Sequence, residues 1–108
     1  NVEVQDWAKQ VESMGAGEIL LNSINKDGTG KGYDIEILKN ISELLKCPVI
    51  ACGGVGEWEH LCEALLNTDI DAVAAANIFH YQDQSVFLAK QHLYNKNMNV
   101  RKPDLIDI

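Results

Sequence analysis

The feature that most constrains this chain is the alternation of short, uniformly apolar runs with longer amphipathic segments. Three such runs, at residues 18–22, 49–52 and 71–76, lack the apolar–polar alternation of a strand that has one face in water. Segments of helix length precede, separate and follow them, which gives the order α-β-α-β-α-β-α. No hairpin signal joins any two runs. The pattern predicts short parallel strands covered by helices.

The helical segments are identified by their apolar stripes and their end signals. Residues 6–14 place Trp7, Val11 and Met14 at helical spacing, and two glycines follow as a stop signal. Asp34 is a suitable N-cap for the second helix. A loop is predicted at residues 77–83. The other stripes are Ile37, Leu38, Ile41, Leu44 and Leu45; Trp58, Leu61, Cys62, Leu65 and Leu66; and Val86, Leu88, Ala89 and Leu93.

The length of the chain limits the architecture that it can complete by itself. Its 108 residues are enough for one small domain but less than half of a (β/α)₈ barrel, which typically needs about 250 residues. The pattern alone leaves a doubly wound sheet and a barrel open. Three strands leave two unpaired edges, so the chain should associate or need neighbouring strands. It also begins in a helix-like stretch without Met, which is typical of a fragment or a processed chain.

Charge and cysteine content exclude several classes of function. The formal net charge is −7 without a Lys/Arg cluster, which argues against a nucleic-acid or anionic-membrane partner. No apolar run is long enough to cross a membrane. A disulfide framework or zinc site is not expected, no metal or cofactor is predicted, and a cytoplasmic location fits best. The cysteines and histidines do not have the spacing of metal ligands, and this is the basis of the expectation. They are Cys47, Cys52, Cys62, His60, His80 and His92.

Three polar or glycine-bearing loops follow the predicted strands, at the end where α/β folds bind ligands. In the first, Asp27 lies between Lys26 and Gly28 and has the chemistry of a general acid or base, although Asp-Gly is also a common turn pair. In the second, residues 53–56, exposed backbone N–H groups beside a helix N-terminus suit a phosphate, although tight turns need glycine too. In the third, the alanines of residues 75–80 allow close approach of a ligand or simply fill a narrow barrel.

Several motifs in fixed order carry a specific resemblance. They are the run at residues 15–21, Ser23-Ile24, Asp27-Gly28-Thr29, Gly32-Tyr33-Asp34, the run at residues 48–54 and the run at residues 75–80. Together they resemble the cyclase subunit of imidazole glycerol phosphate synthase over roughly residues 4–101. The resemblance implies the C-terminal part of a (β/α)₈ TIM barrel, from helix five through helix eight, with residues 97–108 as a C-terminal tail.

The resemblance also implies an activity and partners. The family closes an imidazole ring in histidine biosynthesis by ammonia-dependent cleavage of a phosphorylated nucleotide, and a glutaminase subunit supplies the ammonia. The remaining N-terminal half of the barrel, or a homo-oligomer, would complete the fold. Two acid–base aspartates of the family fall outside this chain. By motif position, the catalytic candidate is Asp27, the substrate-binding residues are Ser23, Gly28 and Thr29, and the phosphate-binding residues are Gly53, Gly54, Ala76 and Asn77.

Departures from the family's pattern keep two alternatives open. The family commonly has other residues at Asn22, Asn25, Cys52 and Asn77. The runs around Asn22 and Cys52 are similar to paralogues that support ammonia-dependent amidation of an acetamido sugar in surface-polysaccharide biosynthesis. A third alternative is a non-catalytic half-barrel fragment that self-associates through its apolar edges.

Overall fold

The computed structural model describes residues 3–76, 78–81 and 86–103, and these form an α/β unit. The strands are parallel and hydrogen-bonded in the order β1-β2-β3. This confirms the prediction of about three parallel strands with covering helices. The elements are α1 (Val4–Ser13), β1 (Ile19–Asn22), α2 (Ile35–Leu44), β2 (Val49–Cys52), α3 (Trp58–Asn67), β3 (Ala72–Val73), α4 (Ile78–Tyr81) and α5 (Val86–Asn95).

The strand order is that of a barrel segment, and one half of a doubly wound sheet shares it. Strands that follow one another in sequence are also neighbours in the sheet. Each β-strand is followed by a helix before the next strand begins. The unit is therefore consistent with a fragment of a (β/α)₈ barrel.

The two faces of the sheet differ in what covers them. On β2, Val49 and Ala51 are buried in a core that the helices share, and Leu38, Ile41, Leu61 and Leu93 belong to the same cluster. The opposite face is open: Leu20, which pairs in register with Ile50, keeps 57% of its surface exposed. All the helices that contribute to this core thus lie on one side of the sheet, as on the outside of a barrel.

The helix boundaries follow from local chemistry. Asp34 is the N-cap of α2, where its carboxylate accepts a 3.5 Å hydrogen bond from the amide of Ile37, as predicted. Gly15, with φ of 104°, ends the first helical region in the left-handed conformation that glycine tolerates. None of the helices within the described ranges is long and apolar enough to cross a bilayer.

Three local predictions differ from the structure. The first stripe is largely exposed, because Trp7 and Met14 keep 51% and 66% of their surface in solvent while Ala8 is the buried residue of α1. The third strand, predicted at residues 71–76, is only Ala72–Val73, and one further ladder bond follows from the amide of Ala74 to the carbonyl of Ala51. Part of the predicted loop at residues 77–83 is the helical turn α4, which packs Phe79 against Trp58 with ring centroids 5.8 Å apart.

Side-chain carboxylates fix the amino-terminal end of the sheet. One oxygen of Glu12 accepts hydrogen bonds from the amides of Lys46 (2.7 Å) and Cys47 (2.8 Å), just before β2. Asp71 accepts a 3.0 Å bond from the amide of Val49, whose carbonyl in turn accepts from the amide of Asp71. These contacts set the height of β2 relative to its neighbours and leave the opposite end of the sheet to the glycine-rich loops.

Candidate functional site

The carboxyl ends of the strands bring the predicted loops together. The sheet ladder continues one step past the strands, because the amide of Ser23 donates to the carbonyl of Cys52 (3.1 Å) and that of Ala74 donates to Ala51 (2.7 Å). Beyond this point the amide of Gly32 donates to the carbonyl of Gly54 over 2.7 Å. The segments after β1, β2 and β3 therefore form one continuous surface, as expected for parallel strands.

Asp27 lies in a tight turn at the mouth of β1. Its amide donates a 2.8 Å hydrogen bond to the carbonyl of Ser23, and its side chain is exposed. Gly28 follows with φ of 79°, the left-handed conformation of a turn residue. The turn interpretation is therefore correct for the backbone. It also leaves the carboxylate free in solvent at the substrate end of the strand, so the general acid–base hypothesis stands beside it.

The hydroxyls of Ser23 and Thr29 shape the same loop. Ser23 Oγ accepts a 3.3 Å bond from the amide of Lys26, and Thr29 Oγ1 donates to the carbonyl of Lys26 over 2.6 Å. Thr29 Oγ1 also accepts from the amide of Lys31 at 3.2 Å. Both hydroxyls hold the backbone around Asp27 in place, and their assignment as substrate contacts remains a prediction.

The glycines after β2 allow two backbones to touch. A side chain at Gly54 would collide with the carbonyl oxygen of Gly32, and one at Gly56 would collide with that of Gly30. At Gly53 an added Cβ would lie 2.8 Å from both Asn22 Oδ1 and the carbonyl oxygen of Ser23. Gly53 and Gly54 also have φ of 98° and 113°. We name the contact between residues 30–32 and residues 53–56 the glycine seam.

Two backbone donors at the glycine seam have no acceptor in the part of the chain that the structure describes. Gly53 and Gly54 are buried, yet their amides donate to no backbone or side-chain oxygen among those residues. Backbone N–H groups of buried residues are nearly always hydrogen-bonded, so these two amides remain the candidates for the predicted phosphate contact. The helix α3 begins a few residues later and adds its positive end.

Lys26 is a candidate that the sequence reasoning did not include. An added Cβ at Gly54 would lie 3.0 Å from the Cβ of Lys26, which places the stem of this cation beside the seam. Lys26 is half-buried rather than fully solvated. Its position next to Asp27 was visible in the sequence, but its approach to Gly54 depends on the fold of the loop.

Tyr33 ties the first loop to the third. Its side chain is buried, and its hydroxyl donates a 2.6 Å hydrogen bond to the carbonyl of Ala74, 41 residues further along the chain. Burial, with a smaller contribution from Cys52, raises the pKa of the Tyr33 phenol, so the hydroxyl stays protonated and remains a donor. This hydrogen bond, which we name the Tyr33 clamp, holds the end of β3 against the loop that carries Asp27.

His60 supports the seam from α3. Its Nδ1 accepts a 3.0 Å hydrogen bond from the amide of Gly56, and its Nε2 lies 3.5 Å from a carboxylate oxygen of Glu57. The imidazole ring also lies beside Gly32, where an added side chain would contact it. His60 therefore packs against the glycine seam.

The third loop is described only in part. Ala76 is exposed, and its carbonyl accepts from the amide of Phe79 at the start of α4. Asn77, the other phosphate-binding candidate in this loop, lies outside the described residues, as does the side chain of His80. The part of the phosphate hypothesis that geometry supports therefore rests on Gly53 and Gly54.

Two positions that depart from the family's pattern are neighbours in space. Asn22 and Cys52 are paired in register at the ends of β1 and β2. Together with Ser23 they line a cavity of about 370 Å³ between the end of β1 and the start of α2. A change of substrate would be expressed at such a pair, because both side chains lie where the two strands open into the loops.

Comparison with known proteins covers the whole of this region. The family described as "Histidine biosynthesis protein" matches residues 1–85. A protein of Vibrio vulnificus (strain YJ016), provisionally named imidazole glycerol phosphate synthase subunit hisF2, is 46% identical over 101 residues, which is 94% of this chain and 37% of that protein. Proteins named imidazole glycerol phosphate synthase subunit HisF from Hydrogenobaculum sp. (strain Y04AAS1) and Nitrosopumilus maritimus (strain SCM1) are each 50% identical, over 101 and 95 residues.

The matched region is nearly all of this chain but only 36–40% of the length of the relatives. The chain thus spans less than half the length of the curated relatives it matches. Because the family match extends over most of the chain and includes all three strands with the loops after β1 and β2, this chain belongs to the histidine biosynthesis protein family.

Proposed function

We propose that the complete protein containing this chain is the cyclase subunit of imidazole glycerol phosphate synthase. Its reaction would be the ammonia-dependent ring closure and cleavage of a phosphoribulosyl formimino carboxamide nucleotide, which makes it a lyase. The observation that carries the proposal is the glycine seam, where the amides of Gly53 and Gly54, which have no acceptor among the described residues, lie next to the loop of Asp27. The names of three relatives at 46–50% identity support the same activity.

The seam has the chemistry of a phosphate site. The amides of Gly53 and Gly54 can donate to phosphate oxygens, and no side chain at either residue blocks the approach. The stem of Lys26 lies beside Gly54, from where its ammonium group would reach a bound phosphate. This suits a chain with net charge −7, because backbone dipoles hold the anion locally against an acidic surface.

Asp27 is placed to serve the reacting end of the same substrate. Its carboxylate is exposed at the mouth of β1, while Ser23 and Thr29 hold the turn beneath it. A carboxylate held in this way can take or return a proton during ring closure. Exclusion of water from the closed site would depend on parts of the barrel outside this chain.

The partners follow from what this chain leaves open. The uncovered face that carries Leu20 and Ile50 needs the remaining, N-terminal barrel half, because apolar side chains there are otherwise in water. Ammonia would come from a glutaminase subunit, as the resemblance of the sequence motifs to the cyclase family implies. The proposed phosphate contacts lie in the loops of this chain and need neither partner.

The decisive test separates chemistry from binding at Asp27 in the complete protein. We expect Asp27→Asn to lower kcat with ammonium as nitrogen donor by about 100-fold or more, with little change in KM, because the amide cannot exchange a proton. Asp69→Asn is the matched control, since Asp69 is an exposed carboxylate in the segment before β3, at the far end of the sheet. Equal losses in kcat and in substrate affinity would contradict the catalytic role and indicate that Asp27 only binds substrate.

One observation favours a second candidate function, ammonia-dependent amidation of an acetamido sugar. The pair Asn22 and Cys52 replaces the family's common residues where substrate would meet the strands. Turnover of the ribulosyl nucleotide by the purified complete protein with ammonium distinguishes the two. Absence of turnover in a folded protein that still binds inorganic phosphate would reject the cyclase and leave amidation.

A further inference from the structure

A second group of chemically active side chains lies on the outer, helical layer, away from the glycine seam. Glu59 and Cys62 are one turn apart on α3, and His92 reaches them from α5. One ligand atom from each, a carboxylate oxygen, the thiol sulfur and an imidazole nitrogen, all lie within 4.8 Å of one another. The proposed function uses none of the three.

We propose that Glu59, Cys62 and His92 form a binding site for a thiophilic divalent cation, of which Zn²⁺ fits best. Thiolate, imidazole and carboxylate are the three side-chain ligands that zinc takes in proteins, and together they select it over the oxygen-preferring Mg²⁺ and Ca²⁺. Three protein ligands leave a fourth tetrahedral position for water, on the side where Glu59 is exposed.

The distances need only a small adjustment. Around a tetrahedral zinc ion, ligand atoms lie about 3.4–3.6 Å apart, given bond lengths of about 2.0–2.3 Å. The contact between His92 Nε2 and Glu59 Oε2 is already 3.2 Å. The sulfur and this pair therefore have to come together by up to about 1.2 Å, a shift that small rotamer adjustments of the exposed Glu59 and the partly exposed His92 supply.

The burial of the ligands differs in a way that suits a structural ion. Cys62 is fully buried, His92 is half-buried and Glu59 is exposed, so the cation would enter from solvent and end against the core. The competing cation is Lys96, whose Nζ lies 3.8 Å from Glu59 Oε2. Lys96 is more than half exposed and free to turn outward, so a bound ion displaces it at little cost.

The site would join α5 to α3. Residues from both helices belong to the core cluster, with Leu61 and Ala64 on α3 and Ala89 and Leu93 on α5. A metal bridge adds ligand bonds between two elements that otherwise meet through apolar packing and the contact between His92 and Glu59. Because α3 follows directly from the glycine seam, the ion would fix the helix that supports Gly53–Gly56 rather than take part in chemistry there.

Cobalt(II) provides the probe, because its spectrum reports the ligand and the geometry. The complete protein, reduced and stripped with a chelator, is titrated with Co²⁺ and then with Zn²⁺. We expect intense visible bands of tetrahedral cobalt and a thiolate-to-cobalt charge-transfer band in the near ultraviolet, both abolished by Zn²⁺ at one equivalent. The affinity for Zn²⁺ should fall by roughly 100-fold or more in Cys62→Ala and in His92→Gln.

The matched control is Cys47→Ala, which removes a different cysteine, one that is partly buried at the amino-terminal end of the sheet. This variant should keep the full charge-transfer band. His92→Gln changes a half-exposed side chain, so it tests the site even where Cys62→Ala unfolds the protein. A charge-transfer band that survives in His92→Gln, one that disappears in Cys47→Ala, or the absence of any such band in the wild-type protein would each overturn the proposal.

Discussion

Gly54 meets two requirements at a single residue. Its φ of 113° belongs to a backbone region that residues with a Cβ rarely adopt, and its neighbour across the glycine seam is the carbonyl of Gly32. The first requirement comes from the turn after β2 and the second from the loop after β1. Only glycine satisfies both, so the residue contributes to the fold even before any ligand binds.

The first prediction follows from this double constraint. Gly54→Ala should lower the free energy of unfolding by at least about 1–3 kcal/mol from backbone strain, with the collision at Gly32 adding to it. It should also weaken binding of inorganic phosphate. Urea unfolding measures the former and calorimetric titration the latter.

The control is Gly17→Ala, because Gly17 does not have positive φ and an added Cβ would meet nothing within 4 Å. There we expect a change within about 1 kcal/mol, in the stabilising direction. If both variants lost the same stability, the seam would not be the cause.

A second prediction at the residue scale concerns the Tyr33 clamp. Tyr33→Phe removes a 2.6 Å hydrogen bond to the carbonyl of Ala74 from a buried site and should cost about 1 kcal/mol in unfolding free energy. Tyr94→Phe changes an exposed phenol and should cost much less. Urea denaturation of both proteins makes the comparison, and equal costs would contradict the clamp.

Helices and strands were predictable to the extent that their signals are local. The Asp34 cap, the glycines after α1 and the core face of α2 all depend on neighbours in sequence, and the structure confirms them. The exposed stripe of α1 and the two-residue β3 were not predictable, because both depend on which elements pack alongside. A stripe identifies an apolar face but not its partner.

The candidate site shows the same division. The glycines and Asp27 were identified from their place after strands, but the amide pairing across the glycine seam and the reach of Tyr33 to Ala74 span many residues. The sequence predicted no metal site, since its cysteines and histidines lack ligand spacing. Cys62 and His92 come together only because α3 packs on α5, and this packing cannot be predicted from their spacing in the sequence.

The element-scale prediction concerns the contact between α1 and the segment before β2. The hydrogen bond from the Cys47 amide, supported by Cys47's side chain and by Lys46, holds the pKa of Glu12 below its usual value of 4.5. A lowered folded-state pKa gives stability that is complete above about pH 4.5 and is lost as the pH falls through the folded value. We expect Glu12→Gln to remove this part of the acid destabilisation.

The measurement is urea unfolding at intervals between about pH 6 and about pH 3. The wild-type curve should fall more steeply with acid than the Glu12→Gln curve. Glu43→Gln, an exposed residue on α2, should follow the wild type. Parallel curves for all three proteins would contradict the role of Glu12.

For the whole molecule, the dominant feature is the difference between the two faces of the sheet. One face carries the core that the helices share, and the other exposes apolar side chains such as Leu20. Complete burial of a leucine is worth about 1.5–3 kcal/mol, and with 57% of Leu20 exposed about half of that remains to be gained from a partner surface. In the complete protein that partner would be the other barrel half; in the isolated chain it would be a second copy.

The prediction at this scale is that the isolated 108-residue chain self-associates through its open face. Leu20→Lys should shift the chain toward monomer in sedimentation experiments, because a charge there cannot be buried without a partner. Leu66→Lys, on the solvent side of α3, should leave the association unchanged. A wild-type chain that remained monomeric at high concentration would contradict the association.

The glycine seam also restricts how relatives of this protein can diverge. Positions 30 and 32 lie in one loop and positions 54 and 56 in another. Position 56 faces position 30, position 54 faces position 32, and the two backbones leave no room for a side chain between them. A side chain gained on one loop has to be accommodated by a retreat of the other. Substitutions, insertions and deletions in the two loops should therefore be inherited together, and the seam would appear in an alignment of the family as a correlated pair of segments.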